Sequence, residues 1–330
     1  MSTTLTPPRS SLRGPARVVV RQHRWALWIA GGLALAAVIG MIALALRSSY
    51  VAEVFAGTGC RVDGADGNRP CMQTARNYLD SMVTYRRMFD YVATALRTLP
   101  LLVSAFVAGP MIARELESGT FKVSWAQSVP PARWLAAKLA VPAVLLLAGV
   151  SVLTAVLAWA RSHADTPYPG QWHDADVFST SGVVPLAHTL FGMAVGALIG
   201  LLVRRTLLAL AASALATGAV VAFFTYWRGE LWPRLTISGP TLNAEEGMWW
   251  VETGHLTSTG ARLPQNTCDG AVTMAGNARC LADHGITGHY LDYHPASHFW
   301  PVQLVETGIL LALAALALAL AFRVLRRLHG

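Results

Sequence analysis

Apolar residues in this chain are gathered into long blocks. Six of them, 25–46, 92–112, 139–159, 183–203, 206–227 and 301–322, run close to the ~20 residues a helix needs to cross ~30 Å of hydrocarbon. The pattern predicts an all-α bundle of six transmembrane spans whose two ends lie on the same side. Residues 72–91 contain neither Gly nor Pro, so the helix of span 2 is expected to start well before its apolar part. Within that span, Pro100 and the pair Gly109-Pro110 release backbone carbonyls and predict a kink, either a hinge or a static bend. Span 4 carries Gly192, Gly196 and Gly200 at four-residue spacing, which lets another helix approach closely. That helix is expected to belong to the same chain rather than to a dimer seam.

Charge orients the spans. One set of connectors, 1–24, 113–138, 204–205 and 323–330, has 14 Lys and Arg against two acidic residues. The other set, 47–91, 160–182 and 228–300, has 11 against 15. Basic connectors stay preferentially in the cytoplasm, so the first set and both termini are expected there. The formal net charge of +8 thus divides into a basic inner face and a mildly acidic outer one. Its implication is attraction to anionic lipid at the inner leaflet, not to nucleic acid.

The four cysteines, Cys60, Cys71, Cys268 and Cys280, all fall in connectors that charge alone assigns to the outside. Separations of 11 and 12 residues favour two local disulfides, Cys60–Cys71 and Cys268–Cys280, in an oxidising compartment. Four cysteines permit three connectivities, so crossed pairing stays open. The chain divides accordingly into a cytoplasmic segment 1–24, five spans over 25–227 with a cytoplasmic connector at 113–138, an extracellular disulfide-stapled segment 228–300, and a sixth span with a basic tail at 301–330.

The first apolar run is too long for a signal core and is read as a mature span. Before it, residues 1–10 have a disordered composition. From Ser11 on, Leu12, Val18, Val19 and Trp25 interleave with Arg13, Arg17, Arg21 and Arg24, a pattern that fits an amphipathic helix on the inner leaflet or simply a basic flank. In connector 113–138, Glu115 and Glu117 close one helix, Gly119 supplies a left-handed stop, and Pro130-Pro131 begin the next. Between these stops Phe121, Trp125 and Val129 recur every four residues, as on one helical face, while Phe121, Val123 and Trp125 also alternate as in a strand.

The string Arg-Glu-Leu-Glu-Ser-Gly-Thr at 114–120, followed by Trp125, Gln127, Arg133 and Trp134, resembles the permease subunits of actinobacterial ABC-2 type (type V exporter-like) transporters. So does the segment from Tyr293 to Gly308 that runs into the last span. The resemblance implies that the element after span 2 is a coupling helix seated in a cleft of a separate ATPase. Carried over, Glu115, Glu117, Gly119, Thr120, Phe121 and Trp125 become the residues that receive its motion. It further implies a second copy of the chain or a related permease, and two ATPase chains. The sequence has no G-x-x-x-x-G-K-[ST], and its longest predicted cytoplasmic connector has 26 residues, too few for a nucleotide-binding domain. ATP and Mg would therefore sit on the partner ATPase, with no cofactor on this chain.

Arg97 in span 2 and Glu306 in span 6 lie at similar depth, ~8 Å from the outer boundary. They are expected either to pair or each to snorkel toward the interface. His188 in span 4 reads as a packed or interfacial residue. His284, His289, His294 and His298 match no standard zinc spacing, so no metal site is assigned. Phe299 and Trp300 read as interfacial anchors. A rival reading as an outward-facing enzyme would use His173, Asp174 and Asp176, but no nucleophile motif accompanies them. A secondary carrier or channel is the other rival. Among cargoes, the apolar spans favour a hydrophobic or amphiphilic molecule such as a drug, natural product or lipid.

Overall fold

A computed structural model of the chain describes residues 21, 24–63, 69–121, 130–163, 167, 170–243, 245 and 247–327. Among these residues six helices are long and apolar enough to cross a membrane. In chain order the helices are α1 (Arg24–Ala56), α2 (Arg69–Leu102), α3 (Gly109–Ser118), α4 (Pro131–His163), α5 (Ala175–Phe178), α6 (Val184–Val203), α7 (Thr206–Trp227), α8 (Met274–Asp283) and α9 (Phe299–Arg327). A π-helical segment, Val103–Ala108, joins α2 to α3, so that Arg69–Ser118 forms one 50-residue span. The amphipathic helix proposed before the first span falls almost wholly outside the described residues.

Span 2 starts early, as the lack of Gly and Pro in 72–91 predicts, and its polar first half pairs with the end of α1. Buried Ala75, Met82, Phe89 and Leu96 recur every seven residues on α2, and Met41, Ala45, Ser48, Ala52 and Phe55 alternate at four and three on α1. Both are the spacing of an antiparallel coiled-coil seam. Phe55 stacks on Tyr78 with centroids 4.2 Å apart, and the Cys60–Cys71 disulfide closes the turn between the two helices. Val150, Leu157 and Ala160 of α4 complete this cluster.

The kink in span 2 has a defined form. Pro110 has no N–H and its ring crowds the preceding turn. The ladder widens there, and the Gly109 N–H reaches five residues back to the Ser104 carbonyl. Ser104 Oγ accepts from Thr217 Oγ1 at 2.8 Å and donates to the Ser213 carbonyl at 3.4 Å, which fastens the bend to α7.

The most buried span is α6, and its glycines explain why. A Cβ on Gly192 would lie 2.4 Å from the Pro100 carbonyl oxygen, one on Gly196 2.7 Å from that of Ser104, and one on Gly200 2.6 Å from that of Gly109. The four-residue ladder is therefore the seat of the kinked span 2 within the same chain. On its other side α6 packs against α9, joining Ala187, Phe191 and Ala194 to Leu310, Ala314 and Ala317.

The fold is not all-α. Between α7 and α9 the chain forms a four-stranded antiparallel sheet of β1 (Leu235–Gly239), β2 (Trp249–Thr257), β3 (Arg262–Pro264) and β4 (Ile286–His294), in the order β1-β4-β2-β3. The two long strands are rich in β-branched and aromatic side chains, among them Trp249, Val251, Thr253, Ile286, Tyr290 and Tyr293, which suit a half-buried pleated surface. Gly254 lets β3 and the Tyr290 ring close in, since a Cβ there would sit 2.3 Å from the Leu263 carbonyl oxygen. Asp292 on β4 receives Arg262 at 2.7 Å and the Thr236 hydroxyl. The Cys268–Cys280 disulfide ties the turn after β3 to α8. Both disulfides have the local connectivity that the cysteine spacing favoured.

Candidate functional site

Two polar sites stand at opposite ends of the bundle, and each is built from residues that span the gaps between helices. The first lies where span 2 ends. Gly119 adopts φ 72°, the left-handed conformation that stops α3, and the Thr120 and Ser118 hydroxyls are 3.0 Å apart. Glu115, one turn earlier, forms an ion pair with Lys138 and accepts from Trp134 Nε1 at 3.1 Å, both on α4. Glu117 reaches α7, where its Oε2 accepts from the Thr206 N–H at 2.9 Å and the Thr206 hydroxyl at 2.6 Å. A carboxylate so placed satisfies an orphan N–H and opposes the positive end of the helix dipole. Phe121 is half-buried, and Trp125 lies outside the described residues. Glu115 and Glu117 thus bind the end of span 2 to the beginnings of two other spans.

The second site lies at the sheet end. Glu306 and Arg228 are both buried, with Arg228 Nε donating to Glu306 Oε2 at 2.9 Å and the second guanidinium nitrogen to Oε1 at 3.3 Å. His188 Nε2 is 3.0 Å from the same Oε1, and because a carboxylate only accepts, Nε2 carries the proton. Arg228 also donates to Ser179 Oγ at 3.1 Å and lies over the Phe178 ring at 4.0 Å, a cation–π contact. One turn before Glu306, the fully buried Gln303 accepts from the Val183 and Val184 N–H groups and donates to the Phe178 and Ser181 carbonyls. Gly182, at φ 64°, leaves room for it, since a Cβ there would meet Gln303 Oε1 at 2.7 Å. This single side chain closes the turn between α5 and α6 onto α9.

The pairing of Arg97 with Glu306 is therefore not realised. Arg97 instead meets Asp176 on α5 at 2.9 Å. Equal depth along two helices does not bring them together, and here α6 packs against both α2 and α9. His188, expected to be a packed or interfacial residue, is packed but is also hydrogen-bonded to a buried carboxylate.

Arg228 and Gln303, like Phe178 and Ser179, are members that sequence reasoning missed. Arg228 follows span 5 directly and reads as an ordinary connector cation. Gln303 had a legible signal: it precedes Glu306 by three residues, which puts both polar groups on one helical face.

The candidate catalytic group His173, Asp174 and Asp176 is dispersed. The His173 ring stacks on Trp249 with centroids 5.7 Å apart, and burial pushes its pKa down against the opposing pull of Asp174. Asp174 accepts from the Gln171 N–H at 2.9 Å, and Asp176 pairs with Arg97. Each is explained by structure. The same segment docks the sheet onto the bundle, as Trp172 Nε1 donates to the Gly247 carbonyl at 2.7 Å and its ring meets Trp249 and Phe299 edge-on.

A family model described as ABC-2 membrane transporter related matches residues 29–228, well over half of the 330-residue chain. The chain belongs to this family. No curated protein and no solved structure matches it. Membership in the ABC-2 membrane transporter related family, with six apolar helices, makes the chain a multi-pass membrane permease of the ABC type rather than an enzyme. The matched region takes in spans 1 to 5 and ends at Arg228. The sheet and the span that carries Glu306 lie beyond it.

Proposed function

We propose that this chain is the membrane subunit of an ATP-driven exporter that moves a hydrophobic or amphiphilic cargo outward, with ATP and Mg bound by a separate ABC-type ATPase subunit. In this reading both termini and connector 113–138 face the cytoplasm, the sheet and both disulfides face outward across the cell membrane, and the permease works with a second copy of itself or a related permease. The observation that carries the proposal is the double tether at the end of span 2. Glu115 holds Trp134 and Lys138 of α4 while Glu117 holds Thr206 of α7. A displacement of the connector by an ATPase therefore acts on three spans together. Through the kinked span 2 it also reaches α6, because the glycine ladder seats one against the other.

The test is copurification with the ABC-type ATPase followed by measurement of ATP hydrolysis in nanodiscs. The complex is expected to show permease-stimulated hydrolysis that falls several-fold in Glu115→Ala. Cargo movement by the permease alone, without any ATPase, would overturn the proposal and favour a secondary carrier.

A further inference from the structure

A cleft opens between α2 and α7 near the sheet end. Arg97 and Thr225 stand at its mouth, Leu96 and Val221 contribute apolar walls, and Ser179 and His188 form its base. Exposure falls along it: Thr225 is exposed and the Arg97 side chain is 32% accessible, whereas Ser179 and His188 are buried. At the base, His188 Nδ1 is shut off from solvent and has no hydrogen-bond partner. A buried polar atom left unpaired is costly, so this nitrogen, on a residue that lines the cleft, is suited to a hydrogen-bonding group that reaches it from there.

The neighbouring bonds define the chemistry of that group. His188 Nε2–H is committed to Glu306, whose single charge is already countered by Arg228, so the ring is placed as the neutral tautomer with a lone pair on Nδ1. A partner for that nitrogen is therefore a donor. The charged side chains at the site are already countered, Arg97 by Asp176 and Arg228 by Glu306. A cationic donor would enter beside two guanidinium groups with no carboxylate to spare, and an anion would meet a lone pair. The Thr225 hydroxyl donates to the Val221 carbonyl at 2.8 Å and keeps lone pairs to accept from a second donor at the mouth.

We infer that this cleft binds the hydroxyl group of an uncharged amphiphile, whose O–H donates to His188 Nδ1 while its hydrocarbon part lies along Leu96 and Val221 and leaves between α2 and α7. The inference rests on the permease reading and deepens it by assigning a headgroup class to the cargo. The hydroxyl could belong to a free alcohol or to a neutral lipid such as a diacylglycerol.

The test uses the full chain, labelled with 15N-histidine, in phosphatidylcholine nanodiscs without the ATPase. Titration with 1-decanol is expected to move the His188 Nδ1 resonance upfield in a saturable manner, while decane and decanoate leave it in place. A second preparation containing dioleoylglycerol assigns the source: a resonance already shifted there identifies the lipid, and one that moves only with decanol identifies a free alcohol. Val221→Trp narrows the cleft from its apolar wall, leaves the residues that hold Glu306 unmutated, and is expected to weaken decanol binding at least about tenfold, or ~1.4 kcal/mol. His188→Phe assigns the resonance. No movement with decanol or dioleoylglycerol, as for a cleft that holds one water, would overturn the inference, and so would decanoate binding as tightly as decanol. Because binding is read without the ATPase, its absence beside intact ATPase stimulation refutes this inference alone. Binding without stimulation counts only against the coupling reading.

Discussion

The Glu306 carboxylate and the Arg228 guanidinium face each other within the protein interior, 2.9 Å apart at their closest atoms, and join the exit of span 5 to the entrance of span 6. Withdrawing two charges from water is costly, and their mutual attraction repays it only when geometry and accessory hydrogen bonds are good. Here His188, Ser179 and the Phe178 ring supply those accessories.

Removing one partner of this pair should be far more damaging than removing both. Arg228→Met alone strands a buried carboxylate and is expected to cost ~3–5 kcal/mol, whereas Arg228→Met with Glu306→Gln should recover most of that loss. Thermal unfolding of the purified chain in detergent, with the monodisperse fraction as a second readout, checks the ordering. Exchanging the charges of Arg97 and Glu306 should give no rescue, because Arg97 belongs to Asp176. A double mutant as unstable as Arg228→Met would show that the pair is not the stabilising unit.

The glycines of span 4 make a second, independent prediction. Gly192→Ala places a Cβ 2.4 Å from the Pro100 carbonyl oxygen, whereas nothing lies within 4 Å of a Cβ added at Gly149. Overpacking of this kind costs ~1–3 kcal/mol. Gly149→Ala should be neutral or slightly stabilising, as alanine favours a helix over glycine by ~1 kcal/mol. Unfolding temperatures of the two variants, measured side by side, decide the matter. Equal values would place the close approach of spans 2 and 4 in doubt.

Much of this architecture was legible because hydrophobic length and helix-breaking residues act locally. The six spans, the early start of α2, the stop at Gly119 and the bridges Cys60–Cys71 and Cys268–Cys280 all follow from nearest-neighbour chemistry. The sheet was missed although part of its signal was present: Trp249, Val251, Thr253 and Thr257 give one strand β-branched and aromatic residues at alternate positions, and Ile286–His294 is rich in the same residue types. Weighing His289 and His294 only as possible metal ligands passed over the strand that carries them. The partner of Glu306 was not legible, because depth along a helix says nothing of the direction in which a residue faces. Only packing around α6 separates Arg97 from Glu306 and brings Arg228 in.

At the opposite end, the hydrogen bonds from Thr206 to Glu117 should matter for coupling rather than for assembly. Thr206→Val removes the hydroxyl bond of 2.6 Å and leaves the backbone bond of 2.9 Å. The expected result is normal yield of the permease–ATPase complex with ATPase stimulation reduced about two- to five-fold, in line with loss of one charge-assisted hydrogen bond in a moving part. Glu117→Ala removes both bonds and should reduce stimulation further. Stimulation at the unmutated level in Glu117→Ala would show that span 5 is not driven through this contact.

The sheet should respond to pH in two separate windows. His294 is buried, and its pKa lies below the ordinary value mainly because of that burial. The Gly229 carbonyl pulls it upward in part, and His298 and Arg234 push it further down. A histidine whose folded pKa is depressed contributes stability that is complete above the unfolded value of ~6.5 and declines as pH falls below it, since the unfolded chain then binds the proton more readily. Asp292 acts lower on the scale. Burial pushes its carboxyl up, but the hydrogen bonds from Thr236 and Arg262 and the Arg262 charge outweigh burial and bring it below the ordinary range. Its contribution is present above the unfolded value of ~3.9 and is lost as pH falls through the lower folded value. Hydrogen exchange of the β4 amides, followed from pH 7.5 to 5 and corrected for the intrinsic pH dependence, should therefore show falling protection in the native chain. His294→Gln, which can still donate to the Gly229 carbonyl, should flatten that decline, and extending the series to pH 3 should leave in both chains the acid loss assigned to Asp292. An unchanged slope in His294→Gln would assign the upper window to a different group.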